Sequence, residues 1–105
     1  MDNAAIEEMF ETLGAVTIKR MFGGKGVYFE GIIFALEVDG EILLKGDDRT
    51  GPTFEAAGSR QWAYDGKGKT VKMPYWSIPE EAYDDPDEMA RWVRLAYEAS
   101  LRAKK

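Results

Sequence analysis

The stretch Val27-Tyr28-Phe29-Glu30-Gly31-Ile32-Ile33-Phe34-Ala35-Leu36-Glu37-Val38-Asp39-Gly40-Glu41-Ile42-Leu43-Leu44-Lys45 decides the fold. Two dipeptides with glycine second, Glu30-Gly31 and Asp39-Gly40, interrupt apolar runs of strand length. Glycine there suits a two-residue hairpin turn, whose backbone needs positive φ, and Asp-Gly is the stronger signal of the two. The pattern predicts three antiparallel strands, near 25–29, 32–38 and 41–45. With two-residue turns, Phe29 lies opposite Ile32, Val27 opposite Phe34, Leu36 opposite Leu43, and Val38 opposite Glu41. These residues then share one nearly apolar face. Tyr28, Ile33, Ala35, Ile42 and Leu44 share the other, interrupted by Glu30 and Glu37. A one-residue slip at either turn would scramble that assignment.

Immediately upstream, Arg20-Met21-Phe22-Gly23-Gly24-Lys25-Gly26 crowds three glycines between two strand-like runs. A backbone needs so many where it turns sharply, enters positive φ, or is closely approached. A phosphate cradle would require G-x-G-x-x-G opening a helix, or G-K-[ST]; here Lys25 is followed by Gly26 and another strand. The expectation is a strand-to-strand turn after a strand over 16–22, with Arg20, Met21, Phe22, Gly23, Gly24 and Gly26 structural. Before it, Ile6, Met9, Phe10 and Leu13 have helical spacing, with Asn3 as the expected N-cap and Gly14 as the stop.

Downstream, Asp48 is expected to cap a short helix reaching Ala57 and stopped by Gly58, with Pro52 tolerable only in its first turn. Trp62 to Asp65 and Thr70 to Met73 predict a hairpin about residues 66–69, with Pro74 at a strand end or edge. The last helix is the clearest element. Asp85 is its N-cap, Pro86 its first residue, and Glu88 completes a capping box. Met89, Trp92, Val93 and Ala96 form its buried stripe, and Arg102, Lys104 and Lys105 suit its negative end. The order α-β-β-β-β-α-β-β-α predicts an α+β fold of two layers, an antiparallel sheet with helices packed on it.

The glycine motif is followed by Gly31 to Leu36, a strand ending in Leu44-Lys45, and Phe54-Glu55-Ala56-Ala57-Gly58-Ser59. Met73-Pro74-Tyr75-Trp76-Ser77-Ile78-Pro79-Glu80-Glu81-Ala82 and Asp85-Pro86-Asp87-Glu88 come next. In this order the chain resembles the TfoX N-terminal domain family along nearly its whole length. The resemblance implies a two-layer fold similar to type III secretion chaperones. The family is named for competence regulators. Its longer members carry a second, C-terminal domain and act with the cAMP receptor protein in transcriptional activation of DNA-uptake genes. This chain is expected to hold the first domain alone.

With 105 residues, a single domain over 1–105 is expected, large enough for a core without staples. There is no cysteine and no histidine, so disulfides, thiolate metal sites and the commonest general base are absent. No apolar run approaches a membrane span and Met1-Asp2-Asn3 lacks a signal-peptide pattern, so a cytoplasmic location is expected, without membrane contact. The acidic run Glu80, Glu81, Asp84, Asp85, Asp87 and Glu88 lacks the spacing of a calcium loop and is accounted for by a helix start. No catalytic residue, metal or cofactor is expected.

Trp62, Tyr64, Tyr75 and Trp76 cluster near Arg60, Lys67, Lys69 and Lys72. Aromatics among bases could stack single-stranded nucleic acid, could anchor a protein, or could pack in the core beside a solvated basic turn. A net charge of −5 argues against duplex binding by the chain alone, leaving the Lys67–Lys72 hairpin as the alternative nucleic-acid surface. The reverse sheet face is the better lead. If the helices cover one face, Tyr28, Ile33, Ile42 and Leu44 remain as an apolar patch for a protein partner, such as a transcription regulator or a second copy. Trp62, Tyr75 and Trp76 are the further candidates for that contact.

Overall fold

The computed structural model describes residues 1–21 and 23–104. Its elements are α1 (Asn3–Met9), β1 (Thr17–Met21), β2 (Gly24–Phe29), β3 (Ile32–Val38), β4 (Glu41–Lys45), α2 (Gly51–Ala56), β5 (Gln61–Gly66), β6 (Lys69–Ser77), a 3-10 turn (Glu80–Asp84) and α3 (Pro86–Ala103). The six strands form one antiparallel sheet in the order β1-β2-β3-β4-β6-β5, so the α+β fold and its element order are as the sequence predicts. Phe22, expected at the end of the first strand, and Lys105 lie outside the described residues.

The hairpin turns follow from positive φ at adjacent residues. Glu30 and Gly31 have φ of 50° and 81°, Asp39 and Gly40 have 52° and 83°, and Lys67 and Gly68 have 43° and 83°. These are two-residue turns whose twist matches the strands they join. Glu37 Oε2 accepts the Gly40 N–H at 2.7 Å and fastens the second turn.

The register departs from expectation between β2 and β3. Phe29 pairs with Ile32 and Tyr28 with Ile33, but Val27 pairs with Ala35 rather than Phe34. Phe34 is an extra residue, a β-bulge that leaves Phe34 and Ala35 together against Val27 on the helix side, all fully buried. Beyond the bulge the faces are exchanged. Leu36 still faces Leu43, but on the side away from the helices, while Ala35 pairs with Leu44 and Glu37 with Ile42 over the core. The expected core face is therefore right up to Phe34 and inverted after it.

The helices all pack on that one side. Ile6 and Phe10 from the α1 region, Phe54 from α2, and Trp92, Val93 and Ala96 from α3 close on Val27, Phe34, Ala35, Ile42 and Leu44. Phe34 meets Phe10 edge-on at 5.0 Å between ring centroids, and Phe54 stacks on Trp76 at 5.7 Å. The buried Trp92 Nε1 and Ser59 Oγ have no hydrogen-bond partner among the described residues.

Several local expectations shift. Asp2, not Asn3, caps α1, its carboxylate accepting from the Ala5 N–H at 2.9 Å. That helix ends at Met9, and the chain turns through Phe10–Leu13 to Gly14, whose φ of 139° and contact with the Phe29 ring leave no room for a side chain. Thr50 stands at the N-cap of α2. Asp48 is exposed, while Asp47 accepts from the N–H groups of Arg49 and Thr50. Pro74 lies inside β6, an interior strand. It is tolerated because pairing with β5 is irregular there and pairing with β4 covers only Tyr75–Ser77, so no ladder bond needs its missing N–H. Asp85 caps α3 through the N–H groups of Asp87 and Glu88, but Glu88 pairs with Arg91 at 3.0 Å instead of closing the capping box.

Arg102 near the end of α3 donates to Asp47 Oδ2 at 2.7 Å, tying that helix to the loop before α2. This bond and the backbone donors of Thr50 and Arg49 hold the Asp47 carboxyl below its ordinary value, against partial burial that raises it. Stability from a carboxylate with a lowered folded-state pKa is present above the unfolded-state value and is lost as pH falls through the folded-state value. Arg102→Met should therefore lower stability at neutral pH and change nothing below the folded-state pKa of Asp47. Urea titrations across that pH range check it. Phe34→Ala should cost about 3–5 kcal/mol in the same assay, because it empties the junction of Phe10, Val27 and Phe34.

Candidate functional site: the uncovered face of the sheet

The face opposite the helices is assembled by strand alternation and the bulge. From β1 to β4 it carries Thr17, Lys19 and Met21, then Gly24, Gly26 and Tyr28, then Ile33, Leu36 and Val38, then Glu41, Leu43 and Lys45. Tyr75 continues it beside Lys45, and the distal hairpin adds Tyr64 opposite Val71. Residues from both ends of the sheet, Met21 of β1 and Trp62 and Tyr64 of β5, line one groove with Ile33, Leu36, Met73 and Tyr75, so the sheet curls about this side. The groove has a volume of about 610 Å³.

Leu43 and Tyr75 are buried at 3% and 6% exposure although no helix covers them. Burial lifts the Tyr75 phenol above its ordinary value, with Tyr28 adding to the shift. Lys45 Nζ sits 5.0 Å from the Tyr75 ring centroid, and Lys19 Nζ 5.1 Å from that of Tyr28, within cation–π range. The charge is thus sorted by layer. Residues 17–45 and 61–77 hold seven basic and five acidic residues, while the rest of the chain holds seven basic and 14 acidic.

The glycines of the upstream motif shape one end of this face. Gly23 has a φ of 80° in the β1–β2 turn. A Cβ on Gly24 would run into the backbone oxygen of Glu37, whereas one on Gly26 would meet Met21 Sδ at 2.7 Å and Ile33 Cδ1 and the Tyr28 ring at 3.1 Å. Arg20 is exposed beside them and, among the described residues, has no carboxylate or carbonyl partner; Met21 lines the groove.

The expected contact residues divide. Tyr28, Ile33, Trp62 and Tyr75 lie on the uncovered face. Ile42 and Leu44, at 1% and 0% exposure, face the helices, because the bulge turned their part of the sheet over. Trp76 pairs with Leu44 and stacks on Phe54, so it too belongs to the core. Leu36 and Leu43 stand on the uncovered face in their place, and Met21, Leu36 and Met73 line the groove. The one signal for this exchange was the unbroken apolar run Ile32–Leu36, which fixes no alternation of its own. Lys67, Lys69 and Lys72 are exposed, but Lys67 sits in the turn and Lys72 pairs with Ala63 on the face opposite Val71, so they converge on no single surface. Among the described residues no three or more carboxylates are grouped to hold a metal ion, and no helix is long and apolar enough to cross a membrane.

The sequence profile of the TfoX N-terminal domain matches residues 8–100, which span the glycine motif, the whole sheet and most of α3. The chain belongs to the TfoX N-terminal domain family. It is similar to the DNA transformation protein TfoX1 of Aliivibrio fischeri, with 27% identity over 99 residues, covering 90% of this chain and 47% of that protein. It is similar also to Protein Sxy of Escherichia coli, with 21% identity over 98 residues, covering 93% of this chain and 47% of Sxy. The chain spans about half the length of these curated relatives.

The two glycine contacts separate structure from site. Gly24→Ala drives a methyl into backbone and should destabilise by about 1–3 kcal/mol. Gly26→Ala meets side chains alone, the flexible end of Met21, the Ile33 tip and the edge of the Tyr28 ring, and should cost less than Gly24→Ala while making the groove shallower. Thermal melts of both variants check the contrast, and near-equal losses would count against it.

Proposed function

We propose that this chain is a non-catalytic regulatory module of the cytoplasm that acts through a protein contact made by the uncovered sheet face. The observation that carries the reading is an apolar groove of about 610 Å³ on a face that none of the three helices covers. Apolar patches of this kind mark protein contacts on soluble domains. Trp62, Tyr75, Tyr28 and Met73 are residue types that anchor such interfaces. The absence of histidine and cysteine from the sequence removes the usual nucleophile and base pairs and leaves regulation by contact as the simplest role.

Family membership supports the regulatory part, and the printed name of the Aliivibrio relative, a DNA transformation protein, points to genes of DNA uptake as the setting. The partner is then another protein, such as a transcription regulator, or a second copy of the chain. An interface of ordinary strength would bury about 1,200–2,000 Å² in total.

Ile33→Lys tests the reading. Crosslinking in the native cytoplasm and light scattering of the purified chain should capture the wild type with a partner or as a dimer. The variant should keep its fold by circular dichroism and lose the contact. Transcript profiles of cells carrying the variant should match those of cells lacking the gene. A wild type that crosslinks to nothing and stays monomeric at high concentration, together with an unfolded variant, would make this face ordinary core.

A further inference from the structure

A second groove lies on the helical side of the molecule. Ala5, Glu8 and Met9 share one side of α1 at i, i+3, i+4 spacing, next to the side that sends Ile6 and Phe10 into the core. They face the 3-10 turn and the first residues of α3 across a groove of about 380 Å³. Met9 and Met89, each packed partly against the core, line it together with Tyr83. At 52% exposure, Tyr83 is more open than any other large hydrophobic residue among those described.

The charge on this groove has one sign. Among the described residues, the only charged side chains that line it are Glu8 and Glu11. Both walls come from stretches rich in carboxylates. Residues 1–18 hold four acidic residues and residues 73–90 hold six, and neither stretch contains a lysine or an arginine. Lys25 reaches α1 only at its start, where it bonds the Met1 carbonyl and Asn3 Oδ1, and Arg91 pairs with Glu88 at 3.0 Å. On the sheet side, Arg60 lies 4.0 Å from Glu41, a carboxylate that adds to the burial lifting the Tyr83 phenol above its ordinary value.

That combination selects among occupants. A nucleic acid or an anionic lipid surface would bring phosphates against Glu8 and Glu11. A second copy joined two-fold through this groove would set the same carboxylates against one another. A metal ion finds no group of three ligands among the described residues and leaves the apolar floor unused. A basic amphipathic protein segment uses both features. Its apolar side chains pack on adaptable thioethers, and its arginines reach the carboxylates and the open Tyr83 ring.

We propose that the groove between α1 and the 3-10 turn docks a basic amphipathic segment of a partner protein, with a leucine or phenylalanine between Met9 and Met89 and arginines or lysines against Glu8, Glu11 and Tyr83. This surface lies on the opposite layer from the uncovered sheet face, and the inference does not rest on the contact made there.

The test uses three fluorescein-labelled synthetic helical peptides. The first carries leucine on one face and arginine on the other, the second has glutamate for arginine, and the third keeps arginine but has alanine for leucine. Each is titrated with the full chain while anisotropy is followed. The first should bind saturably, at least about tenfold tighter than either of the others, and should weaken as salt rises. The Glu8→Lys, Glu11→Lys double variant and Tyr83→Ser should each weaken it at least about tenfold. Asp48→Lys with Glu55→Lys, the same change of charge at exposed positions around α2, should leave it unchanged. Glu8→Gln with Glu11→Gln repeats the test if charge reversal unfolds α1. Equal binding of the three peptides, or no saturable binding of the first, would overturn the proposal. Equal losses in the two Lys double variants would also do so, since they would reveal bulk attraction to an acidic protein. So would a labelled oligothymidylate that binds tighter than the first peptide. Ile33→Lys should leave the first peptide bound; its release would place the peptide on the sheet face and overturn the docking at α1.

Discussion

The bulge at Phe34 is the constraint on which the rest of the structure depends. The run Ile32–Leu36 contains no polar residue, and a regular strand would send alternate members of it to opposite faces. One extra residue puts Phe34 and Ala35 on the helix side together. Phe34 then fills the space beside Phe10, while the small Ala35 pairs with Leu44 and leaves room for α3 to lie close above the sheet. The same step sends Leu36 and Leu43 outward, so the core and the groove are two results of one irregularity. A bulge also strengthens local twist, which suits a sheet whose two ends line a common groove.

Most of the fold was legible because its strongest signals are local. Glu30-Gly31 and Asp39-Gly40 demand positive φ at adjacent residues, and nothing distant alters that demand. Asp85-Pro86 starts a helix by the chemistry of its own first turn. The errors arose where a distant contact decides between local alternatives. Asp2 and Asn3 are both competent caps; Lys25 Nζ donates to Asn3 Oδ1 at 2.8 Å and engages the one, while Asp2 takes the Ala5 N–H. Pro74 looked like an edge residue, yet an interior strand accepts it where the ladders on both sides are interrupted.

The candidate site was half legible for the same reason. Tyr28 and Ile33 precede the bulge and fall where alternation puts them; Ile42 and Leu44 follow it and do not. The aromatics of the second hairpin divide across the irregular pairing near Pro74. Trp62 turns to the groove and Trp76 to Phe54, though sequence proximity grouped them. No composition rule separates two tryptophans in one hairpin. The sheet neighbours do so, because Trp76 pairs with Leu44 and inherits its face.

The sorting of charge between the layers has a consequence for the protein as a colloid. Near its pI of about 4.8, carboxylates lose charge while lysines and arginines keep theirs. The carboxylates are concentrated in the helical layer, so the molecule reaches zero net charge as a bipolar particle, with a positive sheet side and a weakly negative helical side. Long-range repulsion is then gone but the dipole remains, which favours stacking of sheet side on helical side. Association at that pH should therefore be oriented, and added salt that screens the dipole should weaken it.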